Sequence, residues 1–247
     1  MSESSGKVFS GKGALVTGGS RGIGRAIVER LTADGAEVVF TYRGNAESAK
    51  EVAAATGAHA VQADQASRAD LDRLFATAEE LLPGLDILVA NAAETGLGLI
   101  ADVTDESYER VFAVNARSAF LAIQWAGRVM RDGGRIINIS TLNTRVPGPG
   151  ISLYAGSKAA VEQFTKVAAR ELGGRGITAN IVSPGATDTD MLRDGNSPEA
   201  LEQVPAMTAL RRLGQPDDIA AVVAFLAGPD GRWITGQNLL AAGGLHL

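Results

Sequence analysis

Along almost the whole chain, short β-rich apolar runs alternate with longer stretches of helical period. The apolar runs at 13–17, 37–41, 59–63, 87–91, 135–140, 177–183 and 237–241 read as strands. Helical patterns cover 23–34, 46–55, 68–82, 105–131, 154–172 and 216–227. Strands that read as nearly continuous apolar runs bury both faces, as in a parallel sheet covered by helices. The alternation therefore predicts one doubly wound α/β domain. No repeat or linker interrupts it, and 247 residues suit a single domain of this kind.

The polar start, residues 1–10, reads as a flexible tail ahead of a domain spanning 11–247. The stretch 187–214 carries Gly195, Asn196, Pro198 and Pro205 among apolar residues such as Met191, Leu192 and Met207. A long irregular connection inside a compact domain is usually functional or disordered, and this apolar content favours a substrate lid.

Composition removes several kinds of chemistry. The absence of cysteine excludes a disulfide scaffold, a thiol nucleophile and a thiolate metal site, and fits a reducing compartment. The two histidines, His59 and His246, lie far apart in sequence, which argues against a histidine metal centre or a Ser-His-Asp triad. No metal site is expected. With a formal net charge of −5 and no run of Lys and Arg, no nucleic-acid partner is expected either. The start lacks the apolar stretch of a signal peptide, and no uninterrupted run of about 18 apolar residues predicts a membrane span. The expectation is a cytoplasmic protein.

After the first strand comes Thr17-Gly18-Gly19-Ser20-Arg21-Gly22-Ile23-Gly24. In a strand-to-helix turn, Gly18 permits the bend, Gly22 lets a pyrophosphate approach the backbone, and Gly24 allows helix and strand to pack closely. The helix start adds free N–H groups and a partial positive charge. The same glycines also fit a tight turn with no ligand. The second strand ends at Thr41-Tyr42-Arg43, where an NAD-preferring site usually has an acid. Arg21 and Arg43 are instead placed to flank a 2′-phosphate, so NADPH is favoured over NADH.

Tyr154 and Lys158 stand four residues apart in a helical segment, on one face. A free phenol titrates near 10, too high for proton transfer at neutral pH, and a neighbouring cation favours phenolate. A Tyr-x3-Lys pair alone is common by chance. Here it follows Thr17–Gly24, Asn91-Ala92-Ala93, Asn115 and Ser140-Thr141, and it precedes Pro184-Gly185.

In that order and spacing, from about Gly11 to Gly244, the chain resembles the short-chain dehydrogenase/reductase family. The resemblance extends to 3-oxoacyl-acyl-carrier-protein reductases and to polyketide and naphthol ketoreductases. It implies a Rossmann-like domain of about seven parallel strands flanked by helices, with a nicotinamide cofactor at the strands' carboxyl ends. It also implies that Tyr154 transfers the proton and that Lys158 lowers the tyrosine's pKa and binds the nicotinamide ribose. Asn115 is implied to hold a water linking Lys158 to a proton relay. Gly18, Ser20, Arg21, Gly22, Ile23, Gly24, Tyr42 and Arg43 are implied to bind the cofactor. So are Asn91 and Ala92 at the adenosine ribose, and Asp64 and Gln65 at the adenine. Pro184 and Gly185 would wrap the nicotinamide, with Thr187 reaching its carboxamide and Thr189 the amide or phosphate.

Two positions depart from the family. Counting thirteen residues back from the tyrosine reaches Thr141, where the family usually has serine. Successive strand residues face opposite ways, so either Thr141 or Ser140 serves the site; the count favours Thr141. Ala93 stands where the family has glycine, and beside it Glu94 is either a solvated loop charge or a contact for a polar substrate.

The leading expectation is reduction of a ketone by NADPH. The alternatives are NAD-dependent oxidation of a secondary alcohol and a non-catalytic dinucleotide-binding scaffold. The substrate is either a free small-molecule carbonyl or a group carried on an acyl carrier protein. A carrier would need basic residues at the active-site mouth, for which Arg128 and Arg175 are candidates; Asp132 counts against it and tips the expectation toward a free ketone. In relatives the last strand and the long helices, here 105–131 and 154–172, pack subunits into a homotetramer.

Overall fold

A computed structural model describes residues 7–245. Its strands are β1 (Gly13–Val16), β2 (Glu37–Tyr42), β3 (His59–Gln62), β4 (Ile87–Ala90), β5 (Arg135–Ile139), β6 (Thr178–Pro184) and β7 (Asn238–Ala241). The helices are α1 (Gly22–Ala33), α2 (Ala46–Thr56), α3 (Arg68–Leu81), α4 (Asp105–Phe112), α5 (Ser118–Val129), α6 (Ser152–Leu172), α7 (Asp190–Asp194), α8 (Pro198–Met207) and α9 (Pro216–Ala227). All seven strands are parallel and lie in the order β3-β2-β1-β4-β5-β6-β7.

The central apolar runs have no polar alternation because strands such as β1, β2 and β4 feed two cores. Ala14 and Val16 of β1 face one layer and Leu15 the other. The same split separates Val38 and Phe40 from Val39, and Ile87 and Val89 from Leu88. Ile27 and Leu31 of α1, with Val223 and Leu226 of α9, cover the first face. Leu71 and Leu74 of α3, with Ala122 and Ala126 of α5, cover the second. Full burial of a side chain such as Leu88 contributes about 2–3 kcal/mol.

Chain progression reverses at β1, which lies between β2 and β4. In open parallel sheets the crevice outside the carboxyl ends of the strands at such a reversal is where ligands bind. The turn 17–22, and the loops after β2, β3, β4, β5 and β6, all open there.

Three expectations change. The single helix expected over 105–131 is interrupted by a π-helical turn, Ala113–Arg117. One extra residue per turn is rare in helices and re-aims the side chains that follow. The irregular 187–214 segment contains α7 and α8. α8 opens with Ser197 accepting from the Ala200 amide and with Pro198 in its first turn, an ordinary helix start; Pro205 lies in its last turn. Finally, residues 7–10 do not behave as a free tail. Phe9 is 2% exposed in the first core, and its amide donates to the Asp34 carbonyl. Residues 1–6 lie outside the described residues. Among the described residues no helix is long and apolar enough to cross a membrane.

Candidate functional site

The carboxyl-end crevice is a cleft of about 640 Å³. Its floor is the glycine turn, and its shape comes from side chains that sequence reasoning passed over. Thr17 accepts from the amides of Asn91 and Ala92, each at 3.0 Å, joining the loops after β1 and β4. Thr41 accepts from the Gly18 amide at 2.9 Å, joining the turn to β2. Asn91 donates its amide to the carbonyls of Thr17 and Gly18. Threonine directly after an apolar strand and before a glycine turn is the signal that could have exposed Thr17.

Glycine is required at two of these places. Gly18 has φ +70, and a Cβ on Gly24 would stand 2.0 Å from the Gly18 carbonyl oxygen. α1 begins with neither a side-chain cap nor an acid in its first turn. Its leading N–H groups are therefore left for an anion. Ser20, Arg21, Gly22 and Ile23 line the cleft beside Gly18 and Gly24. The segment after β6 closes over this turn, since a Cβ on Gly22 would meet the Thr189 methyl at 3.2 Å. Pro184, Gly185 and Thr187 line the same wall. Thr187 donates to the Gly185 carbonyl, and Thr189 caps α7.

At the far end, Tyr42, Arg43, Asp64 and Gln65 come together as expected, along with Asn91 and Ala92. Gln65 is buried and donates to Thr41. Arg110, unforeseen, binds the Asp64 carboxylate through Nη1 at 2.8 and 3.0 Å. It binds Glu94 through Nε at 3.0 Å and Nη2 at 2.8 Å. This guanidinium holds the Asp64 carboxyl below its ordinary pKa. Arg43 also pairs with Glu94, so Glu94 is no free loop charge. Arg21 lines the same cleft, and its nearest carboxylate is Asp190 of α7, at 3.8 Å.

At the other end Tyr154, Lys158 and Thr141 share the cleft wall. The Thr141 hydroxyl is the side-chain group that lowers the Tyr154 phenol's pKa. Ser140, pointing the other way, donates to Glu162 Oε1 at 2.7 Å. Glu162 is 9% exposed and also accepts from Thr144 at 2.8 Å, so it pins the turn on either side of Thr141. Burial pushes the Tyr154 phenol up, and the Thr141 hydroxyl partly offsets it. Burial lowers Lys158 to about 8, and its Nζ donates to the Ile139 carbonyl at 2.8 Å. Asn115 does not line the cleft. Within the π turn, its side chain accepts from the Glu94 amide and donates to the Glu94 carbonyl, both at 2.8 Å, and it donates to Ser157 at 3.0 Å.

Leu97, Leu142, Ile151, Met191, Leu192 and Val204 also line the cleft. Arg175 and Asp132, by contrast, lie at the opposite end of the sheet. They precede β6 and β5, and pair with each other at 2.8 Å. Loops that enter parallel strands sit at the amino ends, so neither residue can flank the mouth of this cleft.

The family model described as Enoyl-(Acyl carrier protein) reductase matches residues 18–246. A short-chain type dehydrogenase/reductase of Picea abies is 41% identical over 251 residues, covering 96% of this chain and 93% of its own. A short chain dehydrogenase from Burkholderia cenocepacia J2315, solved in complex with NADP, is 45% identical with a TM-score of 0.91, covering 96% of this chain and 99% of its own. The angucycline C-6 ketoreductase LanV with bound NADP is 42% identical at the same TM-score, covering 96% of each chain. By sequence, by fold and by the contents of the cleft, the chain belongs to the short-chain dehydrogenase/reductase family of oxidoreductases.

Proposed function

We propose that this enzyme reduces a ketone to a secondary alcohol with NADPH. The observation that carries the reading is one cleft holding an uncapped helix start over a glycine turn at one point and a Thr141–Tyr154–Lys158 group at another. The residues present fit a nicotinamide dinucleotide. Gly18, Gly22 and Gly24 leave the turn open to a pyrophosphate, Asp64 and Gln65 suit an adenine, and Arg43 suits a 2′-phosphate. Pro184, Gly185, Thr187 and Thr189 suit the nicotinamide. Relatives bearing NADP, including a ketoreductase, support the same choice.

When bound, the cofactor supplies a hydride to the substrate's carbonyl carbon. Tyr154 gives its phenolic proton to the carbonyl oxygen, which takes the electron pair of the broken π bond. Burial, by disfavouring phenolate, keeps Tyr154 in the form that can donate. Thr141 donates to the oxygen as charge develops on it. Lys158, buried beside them, stabilises the phenolate that results. Asn115 acts as a positioning residue, tying the loop after β4 to α6 through Glu94 and Ser157.

The substrate in this reading is a free, apolar ketone. Leu97, Leu142, Ile151, Met191, Leu192 and Val204 give the wall to be filled, with 187–214 as its lid. The carrier-protein alternative loses its candidates, because Arg175 and Arg128, in the last turn of α5, lie toward the other end of the sheet; Asp132, paired with Arg175, no longer counts against it. The reading includes a cytoplasmic homotetramer, for which Phe120 of α5 and Val167 of α6 offer exposed apolar surface at 44% and 53%. The test is a panel of free and carrier-linked ketones followed by NADPH absorbance. Turnover of bulky apolar ketones supports the reading, and no NADPH oxidation with any ketone refutes it.

The two adjacent hydroxyls separate cleanly. Thr141→Ala is expected to lower kcat by about 10²-fold, the scale of one lost oxyanion donor, whereas Ser140→Ala, whose hydroxyl faces Glu162, is expected to lower it much less. Steady-state kinetics of the two variants check this, and the reverse ranking would overturn the role given to Thr141.

A further inference from the structure

Glu94 is held more firmly than a loop carboxylate needs to be. Asn115 fixes its backbone at both the amide and the carbonyl, and Arg110 binds both of its side-chain oxygens. Its third partner is different. Arg43 follows β2 and Glu94 follows β4, and β1 lies between those strands. Their ion pair therefore spans the carboxyl end of β1, across the cleft that both residues line. Arg43's side chain is 62% exposed and Glu94's 27%, so the arginine is the partner free to move.

Arg43 is also the cation suited to a 2′-phosphate, and Arg21 is turned toward Asp190. A phosphate arriving there must take Arg43 from Glu94 and then lie near a fixed carboxylate. Both effects oppose a phosphorylated ribose. A ribose 2′-hydroxyl makes no such demand. We infer that Glu94 is a specificity-determining residue: it holds Arg43 across the adenosine end and sets how strongly NADPH is preferred over NADH. The inference rests on the NADPH reading above. Glu94 weakens that preference below what Arg43 would give unopposed, and Arg110 holds the carboxylate in place through both of its oxygens.

The test uses the full chain and direct binding by calorimetry, with 2′,5′-ADP and 5′-ADP as probes of the adenosine end and with NADPH and NADH alongside. Glu94→Gln keeps the length of the side chain and removes its charge. It is expected to tighten 2′,5′-ADP and NADPH by about two- to fivefold, the scale of one exposed ion pair, and to leave 5′-ADP and NADH unchanged. In an Arg43→Ala background the same substitution is expected to have a smaller effect, because only the repulsion between carboxylate and phosphate is left to relieve. Unchanged or weaker NADPH binding, equal tightening of NADH, or an effect undiminished in Arg43→Ala would overturn the inference. Should Glu94→Gln lose 5′-ADP binding through misfolding, Glu94→Asp makes the same comparison. It keeps a charge for Arg110 but is one methylene shorter toward Arg43, so tighter 2′,5′-ADP binding supports the inference and unchanged binding refutes it. A wild-type chain that binds neither ADP probe would overturn the dinucleotide reading itself.

Discussion

Tyr154→Phe is expected to lower kcat by about 10³-fold while leaving the dissociation constant for NADPH unchanged, since it removes only a proton donor. The ring stays in its partly buried position, and Thr141 lines the same cleft wall. That threonine still accepts from the Asn143 amide at 3.2 Å, so its own rotamer has a separate hold. The substitution therefore separates chemistry from binding better than any other in the cleft. Single-turnover reduction measured beside a cofactor titration checks it. A variant that binds NADPH and keeps full turnover would remove Tyr154 from the mechanism, and with it the reason for reading Thr141 and Lys158 as its partners.

Legibility in the sequence followed the range of the interactions. The central strands could be read because they bury both faces, which leaves β1 as Gly-Ala-Leu-Val with no polar interruption. Tyr154 and Lys158 could be paired because helical spacing is local. The π turn at Asn115 could not. One inserted residue leaves the apolar period of 105–131 nearly intact, and its reason, a side chain stitched to Glu94 and Ser157, comes from elsewhere in the chain. α8 was masked by Pro205, although Ser197-Pro198-Glu199 carried a helix start. The Arg43–Glu94–Arg110–Asp64 group was invisible for a different reason: its members come from three loops and a helix, and no spacing relates them. Glu162 likewise looks like a solvated charge until β5 places Ser140 against it. Arg175 and Asp132 were misplaced because sequence order does not show which end of a parallel strand a loop occupies.

Lys158 should separate activity from stability by the sign of their pH dependence. Its ammonium is 2% exposed, and burial lowers its pKa from 10.5 to about 8. Below about 8 the side chain is charged, and it can stabilise the phenolate that Tyr154 becomes. As pH rises through about 8 that charge is lost, so kcat/KM for ketone reduction is expected to be flat on the acid side and to fall on the alkaline side. Stability runs the other way. The folded state binds fewer protons than the unfolded chain between about 8 and 10.5, so this residue's contribution to stability rises with pH across that window. Below it the cost of burying the charge is fully present, roughly 3 kcal/mol for a shift of this size. Lys158→Met, which keeps most of the volume but leaves the Ile139 carbonyl without its donor, is therefore expected to raise the unfolding free energy at pH 7 by roughly 1–2 kcal/mol. The same substitution is expected to lower kcat by about 10³-fold. Denaturant unfolding and kinetics on one preparation test both signs. A less stable but active variant, or a rate flat through pH 8 to 10, would mean that the buried ammonium serves packing rather than proton transfer.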